Sequence, residues 1–588
     1  MKKRIAIFLT IILVPLSIIG QYQIEDSNDL KAFEQIPKET VFLHHNDQLL
    51  VAGEYLYYKM YCLNILNLAP SAVSKIGYVE LVGANKKVVF RHKIQFINGV
   101  GQGDFFIPAT ISTGSYKLIG YTKWMGNSER DHYFISDVFI VNPFQELLTD
   151  VTENINSSKM VDTSSIKTKI PNDEIVSIKI ELQKNIYQKR SPVLVKIITE
   201  NDISEGNYSV SVRKMYGLIR ATRTSATTFA SDIVRKPKSP TLKIKDTILL
   251  PELRGELFSG QVVSIKEGNP IPGEKVALSI SGKPAVLRLT NTNKNGIFFF
   301  SIDEPTRNNN AILQNLGSDE TEIILHKNLQ VDYGALEFEN LNLTDAINPI
   351  ILERSMYNQI ENAYFEQKKD SLLATDKSLP VYQNLAENYV LDDYNRFPSI
   401  KETVVEIMPD VLLRKIKKEY RFQVRTNDTF LMDKDENPLV LVDGVLVQNM
   451  DKLINYDVKK IERIGIGRSE YYIGTDKYQG IVDISTKEND FWNASTLQGA
   501  TEYEIPAPLS KKVYYFQNYG QTEPSNTDYS RIPDFRNQLL WKPDFELNED
   551  ESLLTFFTSD NTGTYEIVVE GFTNSGMPIS AITSFEVE

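Results

Sequence analysis

The chain has 588 residues, too many for one hydrophobic core, because single cores stop growing near ~250–300 residues. Apolar residues make up 41% and charged residues 24%, the balance of folded globular protein, which excludes a disordered chain. The formal net charge of −13 makes nucleic acid and anionic lipid poor partners for the chain as a whole.

The first twenty residues read as a leader. Lys2, Lys3 and Arg4 precede an apolar run over 5–19 and the small-residue exit Gly20-Gln21, the pattern of a secretory signal. The run is shorter than the ~20 residues a bilayer-spanning helix needs, so cleavage is expected rather than anchoring. No cysteine lies near the exit, so a lipoprotein signal is not expected. Removing the three leader cations leaves 61 basic against 77 acidic residues, a net charge near −16. A lone cysteine, Cys62, cannot close an intramolecular disulfide. Its alternating setting in "YYKMYCLN" predicts a buried apolar thiol.

Residues 37–142 read as successive strands. In "STGSYKLIGYTKWMGN", Tyr116, Leu118, Gly120, Thr122 and Trp124 share one face and Lys117 and Lys123 the other, which predicts a half-buried antiparallel strand. A Gly-x-Tyr opening recurs at Gly114-Tyr116, Gly206-Tyr208 and Gly563-Tyr565, suggesting repeated sandwich domains with a glycine turn at each strand start. The polar stretch 152–173 reads as a linker, and 255–302 gives three or four short strands with glycine turns. Leu352, Met356, Ile360 and Ala363 then fall four or three apart, the stripe of a helix. Ser399 and Glu402 form a candidate capping box for a helix that Pro409 ends. In "NPLVLVDGVLVQN" (437–449) an apolar run breaks at Asp443-Gly444 and resumes at once, the signature of a hairpin.

Motifs that carry chemistry are sparse. Of the five histidines, only His44-His45 form a local cluster, and adjacent strand residues face opposite sides, so no metal site is expected. No G-x-S-x-G elbow is present. "GNPIPGEK" (268–275) carries Glu274 where a phosphate loop needs lysine, and a strand follows it instead of a helix. "GIGRSE" (465–470) is a fragment of a dinucleotide fingerprint, and "DKDEN" (433–437) lacks calcium-loop spacing. The expectation is no enzyme activity, no catalytic residue, no metal and no cofactor.

"PLVLVDGVLV" followed by "INYDVKKIERIGIGRSEYYIGTDKYQGIVDISTK" resembles the plug domain of TonB-dependent outer-membrane receptors. The resemblance covers roughly 396–490, and "RFPSIKETVVEIMP" fits its early helix. It marks Val442, Asp443, Gly444, Gly474, Gly480 and Ile481 as structural motif residues. Only 491–588 follow, too few for the family's transmembrane barrel. Residues 37–142 resemble the second macroglobulin domain of α-2-macroglobulin-type proteins, and 174–235 and 531–571 look like further macroglobulin sandwiches. Residues 250–330 resemble a carboxypeptidase regulatory-like (transthyretin-like) sandwich. The macroglobulin thioester, a Cys with a following Glu-Gln, is missing at Cys62, so covalent trapping is not expected.

These readings imply a mainly β fold of tandem immunoglobulin-like or macroglobulin-like sandwiches with one α+β plug-like domain and a short helical insert. The expected boundaries are a leader at 1–20, a macroglobulin-like sandwich at 21–143, a linker at 144–173 and a second such sandwich at 174–235. A transthyretin-like sandwich at 236–332, a helical insert at 333–395, a plug-like domain at 396–490 and a macroglobulin-like domain at 491–588 follow. The expected function is an exported, non-enzymatic envelope scaffold in the periplasm, at the outer membrane or at the cell surface. Its expected partners are other envelope or outer-membrane proteins, with no nucleic acid and no membrane span after cleavage. The alternatives are an accessory of TonB-dependent uptake beside a separate barrel, and a thioester-less macroglobulin-like protein.

Overall fold

Alternating apolar residues dictate strands through most of this chain. The computed structural model describes residues 21–128, 132–145, 178–199, 205–217, 223–235, 242–281, 285–303, 310–317, 320–326, 329, 331–341, 347–373, 385, 387–416, 419–425, 437–448, 450–473, 476–492, 500–519, 531–547 and 551–588. The leader at 1–20 and nearly all of the expected linker lie outside them. The fold is mainly β, built from many small sheets with few helices. No helix among the described residues is long and apolar enough to cross a membrane.

The first sandwich packs a three-stranded sheet (Glu39–His45, Tyr55–Asn64, Val100–Phe106) on a five-stranded one (Leu49–Val51, Phe134–Val141, Gly114–Tyr121, Ile76–Gly83, Val88–Gln95). Val41, Leu43, Met60, Leu81 and Leu118 meet between them. Strand Gly114–Tyr121 forms where alternation predicts, but it is not half-exposed. Lys123 is buried, because the neighbouring sandwich covers that side and takes its ammonium at the Leu257 carbonyl, 2.8 Å away. The strand also ends at Tyr121, and Trp124 opens a 3-10 turn, Trp124–Asn127.

The structure differs from the expected boundaries in one large respect. The segments 174–235 and 491–588 do not form two domains. Strands Ile178–Leu182 and Pro192–Thr199 take Glu551–Phe557 as their third partner, and Gly206–Lys214 lies between Gln538–Phe545 and Gly563–Thr573. Val193, Val210, Phe556 and Ile567 share one core. Neither segment alone carries enough strands to close two facing sheets, so each completes the other. Strand Ala500–Glu504 leaves this body and adds an edge to the sheet of Asn310–Asn315. Two of the three Gly-x-Tyr strands are therefore neighbours in one sheet, with Lys214 opposite Tyr565, and do not head separate domains. Of the three glycines only Gly563 has positive φ, +125°. What Tyr116 and Tyr565 share is the hydroxyl, which donates to the carbonyl four residues upstream, Ser112 at 2.6 Å and Asn561 at 2.8 Å.

A third sandwich pairs Glu256–Ser264 with Ile297–Ile302 and Thr321–Leu325, against the sheet of Lys275–Ile280, Val286–Asn291 and Asn310–Asn315. The α+β module is a five-stranded sheet of Glu387–Val390, Ile461–Ile473, Asp476–Thr486, Leu439–Val442 and Val445–Leu446. Helix Ile400–Ile407 packs in its core, and Ser399 Oγ caps that helix by accepting from the Glu402 N–H at 3.2 Å, as its capping box predicts.

The modules are not strung end to end. The first sandwich is a hub. It meets the composite sandwich through Lys59–Asp544 (2.9 Å) and the Tyr61 hydroxyl donating to the Glu570 carbonyl (3.0 Å). It meets the third sandwich through the buried Lys93–Glu256 pair. The helix Asn348–Ala363 also docks on it, with the expected stripe inverted. Leu352 and Met356 are 61% and 51% exposed, whereas Arg354, Ser355 and Asn358 are buried. Arg354 Nε and Nη2 donate to Glu54 at 2.6 and 2.7 Å, and Nη2 also reaches Asp47 Oδ2 at 3.1 Å. Arg213 closes the group with Nη2 on Glu54 (2.9 Å) and Nε on Asp47 (2.8 Å). Two guanidiniums and two carboxylates thus balance at the meeting point of three segments.

Removing one member of such a group strands a buried charge. Arg354→Ala is expected to destabilise the protein by about 3–5 kcal/mol, whereas Leu352→Ala on the opposite face should stay within about 0.5 kcal/mol. Urea denaturation of the two variants checks this, and the reverse ranking would restore the apolar stripe as the packed face.

Candidate functional site

The hairpin at Asp443-Gly444 forms as its sequence predicts. Leu439–Val442 turns back into Val445–Leu446 with Val442 opposite Val445, and both turn residues have positive φ, +53° and +81°. This is the two-residue turn whose twist matches its strands and for which Asp-Gly is suited. The strand Leu439–Val442 runs parallel to Asp476–Thr486 and pairs Leu439 with Ile481 and Val442 with Ile484.

Asp443 fastens the turn. Its N–H donates to the Ile484 carbonyl at 2.8 Å, while Oδ1 and Oδ2 accept from the Thr486 N–H and hydroxyl at 2.7 and 2.8 Å. Burial pushes the Asp443 carboxyl above its ordinary range, against the pull of those hydrogen bonds. Trp492 Nε1 donates to the Val442 carbonyl at 2.5 Å and closes the far side.

Alternation then sorts the strand to two covered faces. Val440 and Val442 join Val404, Leu453 and Val482 in the module's own core. Leu439, Leu441, Leu446 and Ile481 meet Ala277 and Leu287 of the third sandwich. A strand covered on both sides reads as an unbroken apolar run, which explains "LVLVDGVLV". Lys275–Asp476 (2.6 Å) ties the first residue of strand Asp476–Thr486, which pairs with Ile461–Ile473 as a long hairpin, to the same sandwich. Near the end of that hairpin Ile473 is buried, and Tyr471 and Tyr478 pack on the interface.

The motif residues have distinct placements. Val442 and Ile481 are fully buried. A Cβ on Gly444 would collide with that of Ala285, so the turn touches the third sandwich. Gly480 has φ +86° and sits against Val424 and the Gly467 carbonyl, beside the irregular register between Gly467 and Glu470. Gly474 lies outside the described residues. Within the described set the motif builds a joint and brings no reactive groups together.

The other sequence candidates are held by structural hydrogen bonds. His45 Nδ1 donates to the Asp47 carbonyl (2.9 Å) and Nε2 accepts from Ser136 Oγ (3.1 Å). His44 Nδ1 meets Ser209 Oγ at 2.7 Å on the composite sandwich. Cys62 is fully buried, its thiol donates to Glu39 Oε1 at 3.3 Å, and burial beside that carboxylate pushes its pKa up. Glu39 also accepts from Ser71, Ser74 and Thr122. Residues 268–275 lead into strand Lys275–Ile280, and 465–470 lie inside strand Ile461–Ile473. Of "DKDEN" only Asn437 is among the described residues. No group of three or more His, Cys, Asp or Glu that could hold a metal occurs among the described residues. The charge group of Asp47, Glu54, Arg213 and Arg354 escaped the sequence because its members are spread over 308 positions.

No family profile matches the sequence, and no curated protein matches it. Among solved structures, the chain is similar to Salmonella α-2-macroglobulin reacted with methylamine, with 8% identity and a TM-score of 0.22 over 97% of this chain and 40% of that one. Trypsin-activated α-2-macroglobulin from Escherichia coli gives 9% identity and a TM-score of 0.22 over 93% and 41%. The Yersinia pseudotuberculosis adhesin InvE gives 8% identity and a TM-score of 0.12 over 48% and 58%. The chain thus spans about two fifths of the length of the macroglobulins it matches. Overlap this slight assigns neither a family nor an activity.

Two expectations follow. Gly444→Ala, which meets both the backbone strain and the Ala285 contact, should cost about 1–3 kcal/mol; a loss under about 0.5 kcal/mol in urea denaturation would mean the turn is not pressed on its neighbour. Burial also pushes His45, His92 and His326 down to about 4, from an ordinary value of 6.5. Between those values the unfolded chain binds more protons, so this contribution to stability is complete above 6.5 and is lost as pH falls toward 4. His45→Gln should shrink the drop in melting temperature between about pH 7 and pH 5, and an unchanged drop would contradict the assignment.

Proposed function

We propose that the protein is a non-enzymatic, exported cell-envelope scaffold whose modules bind other envelope proteins. The observation that supports this most is the hub itself. Buried ion pairs join the first sandwich to the composite sandwich, the third sandwich and the helix Asn348–Ala363, and the α+β unit docks on the third sandwich through an apolar sheet face. Such joints favour a fixed relative placement of surfaces, which is what a scaffold supplies. The side chains with the chemistry to react, Cys62, His44, His45 and Glu39, are buried and bonded within the fold. The leader-like residues 1–20 and the acidic balance support export and argue against a nucleic-acid partner.

A second reading, a macroglobulin-like protein without a thioester, is favoured by Cys62. Its sulfur is sealed beside Glu39 and is followed by Leu63-Asn64, not Glu-Gln. Work as an accessory of TonB-dependent uptake rests on the plug-like motif residues alone.

Fractionation of cells making the native protein, followed by lysine cross-linking, tests the proposal. The expected result is recovery with the envelope and cross-linked species containing other envelope proteins. Recovery in the cytosol, a chain that cross-links to nothing, or substrate turnover by the pure protein would overturn it.

A further inference from the structure

Residues 414–425, "RKIKKEYRFQVR", hold six basic residues and one acidic residue in a chain whose net charge is −13. The strands Val411–Ile416 and Glu419–Val424 pair here as an antiparallel hairpin on the α+β module. Val411, Leu413, Phe422 and Val424 turn one face into the module's core. Alternation sends Leu412, Arg414, Ile416, Glu419, Arg421 and Gln423 to the other face.

On that face Arg414 stands directly opposite Arg421. Like charges at facing positions repel and destabilise a strand pair, so the fold gains nothing from them. Arg414 is exposed and has no acidic partner among the described residues. Arg421, with 43% of its side chain exposed, has only Glu419 at 3.5 Å. Lys415 is exposed and rests over the Tyr420 ring at 5.1 Å. Elsewhere cations are commonly matched, as in Lys59–Asp544, Lys117–Asp137 and Arg190–Asp560.

Two guanidiniums one cross-strand step apart present N–H forks suited to phosphate oxygens. The outer end of this face, with Arg414, Ile416, Glu419 and Arg421, is exposed or partly exposed while Gln423 is buried, and such an open surface fits an extended array of anions better than one small ion. Ile416, partly exposed, lies next to Arg414 on the same face and opposite Glu419, an apolar group beside the cations of the kind that seats at headgroup level. We propose that the arginine-bearing face of this hairpin docks on an anionic membrane surface, with Arg414 and Arg421 bridging lipid phosphates. The overall acidity that argues against anionic lipid is thus reversed at one projection. The proposal stands independently of the scaffold's protein partners.

Co-sedimentation of the full chain with vesicles tests it, using phosphatidylcholine containing about 30% phosphatidylglycerol against pure phosphatidylcholine, with thermal melts confirming that each variant folds. The double variant Arg414→Gln/Arg421→Gln should bind the anionic vesicles about ten- to thirtyfold more weakly. Lys266→Gln/Lys294→Gln, on exposed lysines of the third sandwich, should bind like the wild type. Raising salt to about 0.5 M should release the wild type. Absence of binding to anionic vesicles, equal binding by the Arg414/Arg421 variant, or release by millimolar inorganic phosphate at constant ionic strength would overturn the proposal. The last outcome would mark a discrete phosphate site instead.

Discussion

The Glu54 side chain is only 4% exposed yet lies between the guanidiniums of Arg354 and Arg213. Burial alone would raise its pKa, but the two arginines outweigh burial and hold it at about 2. Such a carboxylate stays charged, and a charge away from water is tolerable only while its partners remain in place. Those partners come from a helix 300 positions downstream and from a strand of the composite sandwich. Asn537, from the same sandwich's C-terminal half, adds a donor at 3.3 Å. Any separation of the three bodies would strand the charge, so the group disfavours partly docked arrangements more strongly than apolar contact would. The Tyr216 ring, 5.1 Å from the Arg354 guanidinium, closes the fourth side.

That constraint explains why the helix Asn348–Ala363 could not be oriented from its sequence. Leu352, Met356 and Ile360 make a sound apolar stripe by spacing, and stripes of that kind usually face a core. Here the opposing surface presents Asp47 and Glu54, and the energy of satisfying those carboxylates exceeds that of covering two apolar side chains. The deciding groups lie three hundred residues away, beyond the reach of any local pattern. The same holds for the composite sandwich. Each strand of 178–214 and 538–587 is visible from its own alternation, but the pairing of Val193 with Phe556, or of Val210 with Val569, is a choice of partner that period-two patterning leaves open.

Features encoded within a few residues were legible. The Ser399 cap, the Asp443-Gly444 turn and the strand of Cys62 each depend on neighbours only a few positions away. The hairpin shows both sides of this rule. Its turn type follows from two residues, and the absence of polar residues in "LVLV" already signals cover on both faces. Which module supplies the second cover does not follow, since Ala277, Ala285 and Leu287 carry no mark of it. The motif residues Val442, Asp443, Gly444, Gly480 and Ile481 are accounted for by turn geometry, the Thr486 clasp and burial. A likeness founded on them is therefore a likeness of construction and does not transfer a transport role.

The distribution of charge separates the parts of the molecule that hold it together from the parts free to meet something else. Arg213, Arg354, Lys59, Lys93 and Lys123 are buried, and each faces a carboxylate across a joint. An acidic chain can balance its buried cations in this way without difficulty, because carboxylates are in excess. Arg414, exposed and with no acid partner among the described residues, faces Arg421 across a strand pair, a local cost to folding and not a support. Interior charge in this protein is thus explained by packing, while Arg414 and Arg421 face each other on the hairpin without such a packing role and leave that face open to an anion from outside.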